Sequence, residues 1–454
     1  MSDIAVPSAH PTALQQIDSR PLTRNQKSLI GLAITGNISE FFDMFLIGFA
    51  VNSLLKDPNW NLNGNEIGII LAMSGLGTVI GAILWGHLAD RIGRKVSFFW
   101  CVLLFTLFTF ISVFTPDNAW IMLAALRVLV GVGVGGLNIV SIPYIQEFVP
   151  AKQRGLLSGL ASVFIPLGLF LGSLASKMVG DNWRLLIALG AAPIFLLLWL
   201  RAVPESPRYL QTQGRTDEAR KALAWALEIP VNKLGELPAP THTEAASYSI
   251  IFSNYLRPLV IITLGSFSFI LGSSVIQSWG QTILGSGYAF DTGMVANLFM
   301  LVSLGDLLGR LTSAWLADKI GRRWTMFSFG LIGACGLLIA AISTTTGDSA
   351  HAGWIFFTGI LIAMTFGDGA FGILNAFGAE QFPNEARSTG LGLGYGIGAT
   401  AKIFGPALLG AMFGAKVTLD SIAPAFTFFA ALLLLGGITY LFATETKGKS
   451  LDTI

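Results

Sequence analysis

Seven charged residues stand inside long apolar stretches of this chain: Glu40, Asp43, Arg127, Asp306, Arg310, Asp368 and Lys402. A charge at bilayer depth costs several kcal/mol, so such residues pair with one another or line a polar path. Four acids against three bases leave one acid in excess, free to be neutral and to carry a proton. Asp306 and Arg310 are spaced i, i+4 and can neutralise each other along one helix; the alternative is a place on the substrate path. Lys402 has no partner nearby in sequence. Either Asp368 pairs with it, or Lys402 faces a cavity and holds an anionic substrate. Gln277, Trp279 and Gln281, in Val275-Ile-Gln-Ser-Trp-Gly-Gln281, offer a stacking face and amide hydrogen bonds to the same substrate, or plain packing.

The composition sets where such charges must sit. The chain has 454 residues, 53% hydrophobic and 12% charged. Soluble domains carry about a quarter charged residues. There is too little charge here to coat a globular surface, which excludes a soluble enzyme and a disordered chain. Lys+Arg 28 against Asp+Glu 26 gives +2, so no basic face points to nucleic acid. Cys101 and Cys335 lie in apolar runs and the histidines are scattered, so no disulfide framework, metal site or cofactor is expected. The first 26 residues are polar and hold no signal-peptide core.

A multispanning membrane protein remains. A bilayer core of about 30 Å needs roughly 20 apolar residues per helix. Twelve runs qualify, starting near Ser28, Glu66, Val96, Trp120, Leu156, Arg184, Pro258, Met294, Trp324, Trp354, Thr389 and Ile422. The fold class is therefore all-α, with twelve transmembrane helices in two six-helix bundles. Lys and Arg concentrate in alternate loops, which places both termini in the cytoplasm. The expected organisation is a tail (1–27), a first bundle (28–202), a cytoplasmic linker with a short helix (203–256), a second bundle (257–444) and a tail (445–454).

Depth suggests one charge pairing. Asp43 is 15 residues past Ser28, or about 22 Å from the cytoplasmic edge. Arg127 is seven residues past Trp120, or about 10 Å from the opposite edge. In a core of about 30 Å they lie near one level.

The halves repeat. Gly86-His-Leu-Ala-Asp-Arg-Ile-Gly-Arg-Lys95 returns as Ala314-Trp-Leu-Ala-Asp-Lys-Ile-Gly-Arg-Arg323, and Glu147-Phe-Val-Pro-Ala-Lys-Gln-Arg154 as Glu380-Gln-Phe-Pro-Asn-Glu-Ala-Arg387. Both pairs follow equivalent spans, as in repeat-built transporters with a central substrate path. Asp90 with Arg91 and Arg94, and Asp318 with Arg322, make partly desolvated, breakable charge networks. Glu147 with Arg154, and Glu380 with Arg387, extend them; the bland alternative is topology alone. Gly131-Val-Gly-Val-Gly-Gly136 matches a dinucleotide fingerprint, but it lies inside an apolar span, where glycines permit close helix approach. The alternate glycines 390–398 read the same way.

These motifs resemble the major facilitator superfamily, and more narrowly its sugar porters and metabolite:proton symporters. Pro143-Tyr-Ile-Gln-Glu-Phe-Val-Pro-Ala-Lys-Gln-Arg-Gly155, Pro204-Glu-Ser-Pro-Arg-Tyr-Leu210 and Glu445-Thr-Lys-Gly-Lys-Ser-Leu451 carry the narrower likeness. The resemblance implies that Asp43 takes the coupling proton and Arg127 sets its affinity; a static ion pair is the alternative. Glu40, one turn away, either shares the proton or hydrogen-bonds near the inner gate. It also implies that the Asp90–Arg91–Arg94 network latches the bundles in the outward-open state. The family's sugar contacts are missing: Ser162-Val-Phe-Ile-Pro-Leu-Gly168 has no Gln, and span seven keeps only Gln277, Trp279 and Gln281.

The expected function is a proton-coupled symporter of a small polar metabolite, an organic carboxylate first. A sugar or polyol symporter is second and a proton-driven exporter third. Its expected partners are a small-molecule substrate, protons and the bilayer. It is expected to be no enzyme, and to act as a monomer in the bacterial inner membrane.

Overall fold

The computed structural model describes residues 12–150, 153, 157, 160, 162–237, 248–345, 349–383, 386–414 and 418–447. Eleven of its helices are long and apolar enough to cross a membrane. We number the spans α1 Arg24–Leu54, α2 Gly64–Ile92, α3 Arg94–Ser112, α4 Trp120–Gln146, α5 Pro166–Val179, α6 Trp183–Arg201, α7 Leu256–Gly287, α8 Thr292–Ile320, α9 Arg322–Thr345, α10 His351–Ala379, α11 Thr389–Phe413 and α12 Leu419–Leu441. The twelve match the twelve apolar runs. Only α5 is short, because the first part of its run falls largely outside the described residues. No strand occurs among the described residues.

Helix starts follow from local chemistry. Thr23 with Gln26, and Asn63 with Glu66, form capping boxes that satisfy the first amides of α1 and α2. Gly93, between α2 and α3, has φ +100°, and Gly321, between α8 and α9, has φ +97°. A side chain rarely adopts that conformation, so the repeated Ile-Gly-Arg turn needs its glycine. The short linker helix Thr216–Leu227 is amphipathic, as its sequence predicts.

In the first half α2 lies on α4, α4 on α3, and α1 on α5. In the second, α8 lies on α10, α9 on α12, and α7 on α12. Three seams join the halves: α2 on α11, α5 on α8, and α1 on α7. Gly131 of α4 faces Gly77 of α2, where an added Cβ would stand 2.8 Å from the Gly77 Cα. The close-approach reading of that stretch therefore holds. In α11 it holds only in part: Gly394 and Gly398 meet α7, but Gly392 and Gly396 face open space.

Candidate functional site

Asp43 and Arg127 meet, as their depths predict. Arg127 Nη2 lies 2.7 Å from Asp43 Oδ2, and Nη1 lies 3.4 Å from Oδ1. Both residues are buried. Thr109 of α3 donates its hydroxyl to Asp43 Oδ1 at 2.8 Å, and Arg127 Nε donates to Ser74 Oγ of α2 at 3.0 Å. Four helices thus converge on one bidentate pair, with a hydroxyl on each partner. Thr109 and Ser74 carry no signal in the sequence; hydroxyls are common in membrane helices.

Glu40, one turn from Asp43, is buried too. Lys402 of α11 is half-buried, its Nζ 5.5 Å from the centre of the Phe41 ring. Glu40 and Asp368 are near enough for their charges to act on that ammonium. Yet Lys402 makes no side-chain ion pair or hydrogen bond among the described residues. A half-buried ammonium that feels two acids but bonds to neither is open to an anion.

The second half holds a three-residue cluster. Arg310 Nε lies 3.0 Å from Asp306 Oδ1, as the i, i+4 spacing predicts, and Arg310 Nη2 also donates to Asp368 Oδ2. All three are buried. Asp368 is therefore paired with Arg310 rather than with Lys402. The reason is the close approach of α8 and α10 at Gly309 and Gly369, just before the π-helical turn Ala363–Asp368 rejoins the helix. Gln277 of α7 donates to Asp368 Oδ1 at 3.0 Å, so its amide is engaged. Trp279 is enclosed against Phe413, its indole N–H donating to the Pro406 carbonyl at 3.1 Å. It presents no free stacking face in this conformation. Gln281 donates to the Gln277 carbonyl, and its Oε1 has no partner among the described residues.

On the side where α1 begins and α12 ends, two matching networks appear. Arg94 lies 2.7 Å from Asp90 and 3.6 Å from Glu147, and Ser206 Oγ donates to Glu147 Oε2. Arg322 lies 2.9 Å from Asp318 and 3.4 Å from Glu380, and Thr446 Oγ1 donates to Glu380 Oε2. Each network stays within its own half. The Arg91 carbonyl accepts from Tyr209 Oη, Arg387 Nε donates to the Ala379 carbonyl, and Arg154 lies outside the described residues. Glu205 accepts from the Lys95 backbone N–H at 2.9 Å, and Glu445 from those of Arg322 and Arg323 at 3.0 and 3.1 Å. Both cap the helix that follows a positive-φ glycine. Their signal in the sequence is a Glu followed by Ser or Thr, Glu205-Ser206 and Glu445-Thr446, after the sixth and twelfth spans.

Burial pushes the Glu147 carboxyl up from its ordinary value, against the pull of Ser206, Arg94 and Arg208. At Glu445 burial acts in the same sense, but backbone N–H groups outweigh it and hold the carboxyl below its ordinary value.

On the opposite side, bonds cross between the halves. Asp181 accepts from Lys56 Nζ at 3.0 Å and from Thr292 Oγ1 of α8. The Gly64 N–H donates to the Gly414 carbonyl at 2.8 Å.

The comparisons agree with this architecture. The family described as "Sugar (and other) transporter" matches residues 29–454. A niacin transporter of Acinetobacter baylyi is 29% identical, over 97% of this chain and 99% of its own. An inner membrane metabolite transport protein of Escherichia coli is 30% identical, over 97% of this chain and 96% of its own. The xylose transporter of Escherichia coli, in a partially occluded inward-open conformation, superposes with a TM-score of 0.72 at 22% identity, covering 94% of this chain and 100% of that one. Twelve spans in two repeated halves, charges paired at depth and a family match along nearly the whole length lead to one assignment: the chain belongs to the sugar (and other) transporter family, has the major facilitator fold and is a multi-pass membrane transporter of small molecules, not an enzyme.

Proposed function

We propose that the chain is a proton-coupled symporter of a small organic carboxylate, working by alternating access. One observation carries this reading: the Lys402 ammonium stands over the Phe41 ring with no counter-ion bonded to it among the described residues. A carboxylate supplies the missing charge, and a ring on the same solute has the Phe41 face to stack on. The likeness to a niacin transporter supports this, since niacin is a ring-bearing carboxylic acid. Lys402 is a sparse positive point in a low-dielectric path, so its attraction for an anion is strong and its selectivity follows the sign of charge.

Asp43 takes the proton. Arg127, paired with it at 2.7 Å, is the counter-charge it gives up or regains in the cycle. Glu40 links the two events, because it is one turn from Asp43 and acts on Lys402. An incoming carboxylate competes with Glu40 for the ammonium and so shifts the charge balance beside Asp43.

The side holding the termini, rich in Lys and Arg, faces the cytoplasm of a bacterial inner membrane. The crossing bonds at Asp181 and Gly64 seal the external side in this conformation. The Arg94 and Arg322 networks exchange partners between halves when the cytoplasmic side closes. The transport path lies within one chain, so a monomer is sufficient.

The test uses protein in liposomes holding a pH-sensitive dye, with carboxylates, sugars and polyols added outside. Internal acidification by a carboxylate, absent from empty liposomes and lost in Asp43→Asn, is the expected result. Acidification by a sugar alone would replace the carboxylate with a sugar or polyol substrate. Tracer uptake without proton movement would make the protein a facilitator.

A further inference from the structure

The sequence leaves one excess acid among the seven deep charges, and the structure locates it. Asp43 is neutralised by Arg127. Glu40 and Lys402 act on each other as opposite charges. What remains is Asp306 and Asp368 around a single guanidinium, that of Arg310. All three side chains are at least 95% buried. With both acids ionised, the cluster has a net charge of −1 at a buried position, which carries a large desolvation cost. Both carboxyl groups bond to the same guanidinium, so each stands in the field of the other. Two ionised carboxylates so placed repel; one acid and one carboxylate bond.

Among the described residues no cation besides Arg310 bonds to the two acids. On α7 the facing group is the neutral amide of Gln277. On α5 it is the carbonyl of Ser162, which accepts from Arg310 Nη1 at 3.1 Å. On α11 it is Lys402 and the Tyr395 phenol, both within the field of Asp368, and both also within the field of Glu40 from α1.

We propose that Asp306 and Asp368 share one proton and form a second proton-binding site, in the second half and separate from Asp43. Binding is a simple protonation: a carboxylate oxygen takes a proton from water, and the new O–H donates to the other carboxylate. No other reactant is needed. The site lies on a seam between halves, because Arg310 bonds to Ser162 of α5 and Ser303 Oγ of α8 donates to the Pro166 carbonyl. Loss of the proton would therefore put a net charge where the halves meet. This role in transport rests on the proton-coupled reading above; the existence of the site does not.

Infrared spectroscopy of the purified protein at neutral pH, without any solute, tests the site. A protonated carboxyl shows a C=O stretch distinct from that of a carboxylate, and carbon-13 labelling of aspartate shifts it while leaving Glu40 unaffected. The expected result is an aspartic-acid band in the wild type that persists in Asp43→Asn and is lost in Asp306→Asn and Asp368→Asn. Asp43→Asn alone decides if the other variants fail to fold, since Asp306 and Asp368 are then the buried aspartates among the described residues. No aspartic-acid band in the wild type, or one that vanishes in Asp43→Asn, overturns the proposal. A present band with no proton flux in liposomes would sink the symport reading and leave the site standing.

Discussion

Gly309 of α8 and Gly369 of α10 meet backbone to backbone: a Cβ added at Gly309 would lie 3.1 Å from the Gly369 Cα and collide with the Thr365 carbonyl. This contact brings Arg310, one residue on, within reach of Asp368, one residue before. The helix seam and the buried charge cluster are thus one feature. Substituting Gly309→Ala should cost about 1–3 kcal/mol through overpacking. Thermal unfolding in detergent would read the loss. An unchanged Tm would mean that α8 and α10 separate freely.

The Asp43–Arg127 pair gives a double-mutant prediction. Arg127→Gln alone leaves a buried carboxylate without its counter-charge, a loss of about 3–5 kcal/mol. Adding Asp43→Asn should restore most of that stability, because no charge then stays buried. Transport should not return with it. Additive losses in denaturant titrations would contradict the pairing.

Lys402→Gln keeps the length of a polar side chain and removes the charge. Hydrogen bonds to charged groups are worth about 1.5–3 kcal/mol. The KM for a transported carboxylate should then rise roughly tenfold to a hundredfold. Concentration-dependent tracer uptake measures it. An unaltered KM would remove Lys402 from the binding site.

The two loop acids predict opposite pH effects. The folded-state value of Glu147 lies above its unfolded one, so the fold binds that proton more tightly. Its contribution to stability is full below the unfolded value and lost as pH rises through the raised one. The folded-state value of Glu445 lies below its unfolded one, so its contribution is full above the unfolded value and lost as pH falls through the lowered one. Tm against pH should therefore lose part of its acid-side slope in Glu445→Gln. In Glu147→Gln it should lose part of its decline above the ordinary carboxylate range. The same profile in both variants would contradict one assignment.

Asp181, with its side chain 54% exposed, makes an ion pair with Lys56 that is worth only about 0–1 kcal/mol. It also accepts from Thr292 in the other half. Asp181→Asn should leave Tm unchanged within a degree or two, yet expose the path on that side. Asn52, buried near the end of α1 against Gly285 of α7, reports on that side: thiol labelling of Asn52→Cys, in a protein with Cys101→Ser and Cys335→Ser, should speed up by up to roughly fivefold, the equivalent of about 1 kcal/mol. Unchanged labelling would show that the backbone contact at Gly64 and Gly414 holds the seam alone.

Much of the fold was legible because a bilayer imposes length and polarity on each span independently. The twelve apolar runs, the repeat and the turn at Gly93 and Gly321 are local signals, and each reappears in the structure. The Asp43–Arg127 pairing was legible from depth, since helix rise converts residue number into height. Asp306–Arg310 was legible from the i, i+4 spacing. Other features were not legible. Thr109 and Ser74 reach the pair from helices whose rotation about their own axes leaves no single-residue signal. Trp279 and Gln277 could equally face a path or a neighbouring helix, and packing against α11 and α10 decided for the neighbour.

By itself, then, the sequence determined which charges are buried, on which spans, and how many more acids than bases there are. Tertiary structure alone decided which acid is in excess. Depth assigns a height but not a bearing around the helix axis, and several helices share each height. Asp368 could have met Lys402 or Arg310. The glycine contact between α8 and α10 brings Arg310 to it first, and Lys402 is left beside the Phe41 ring.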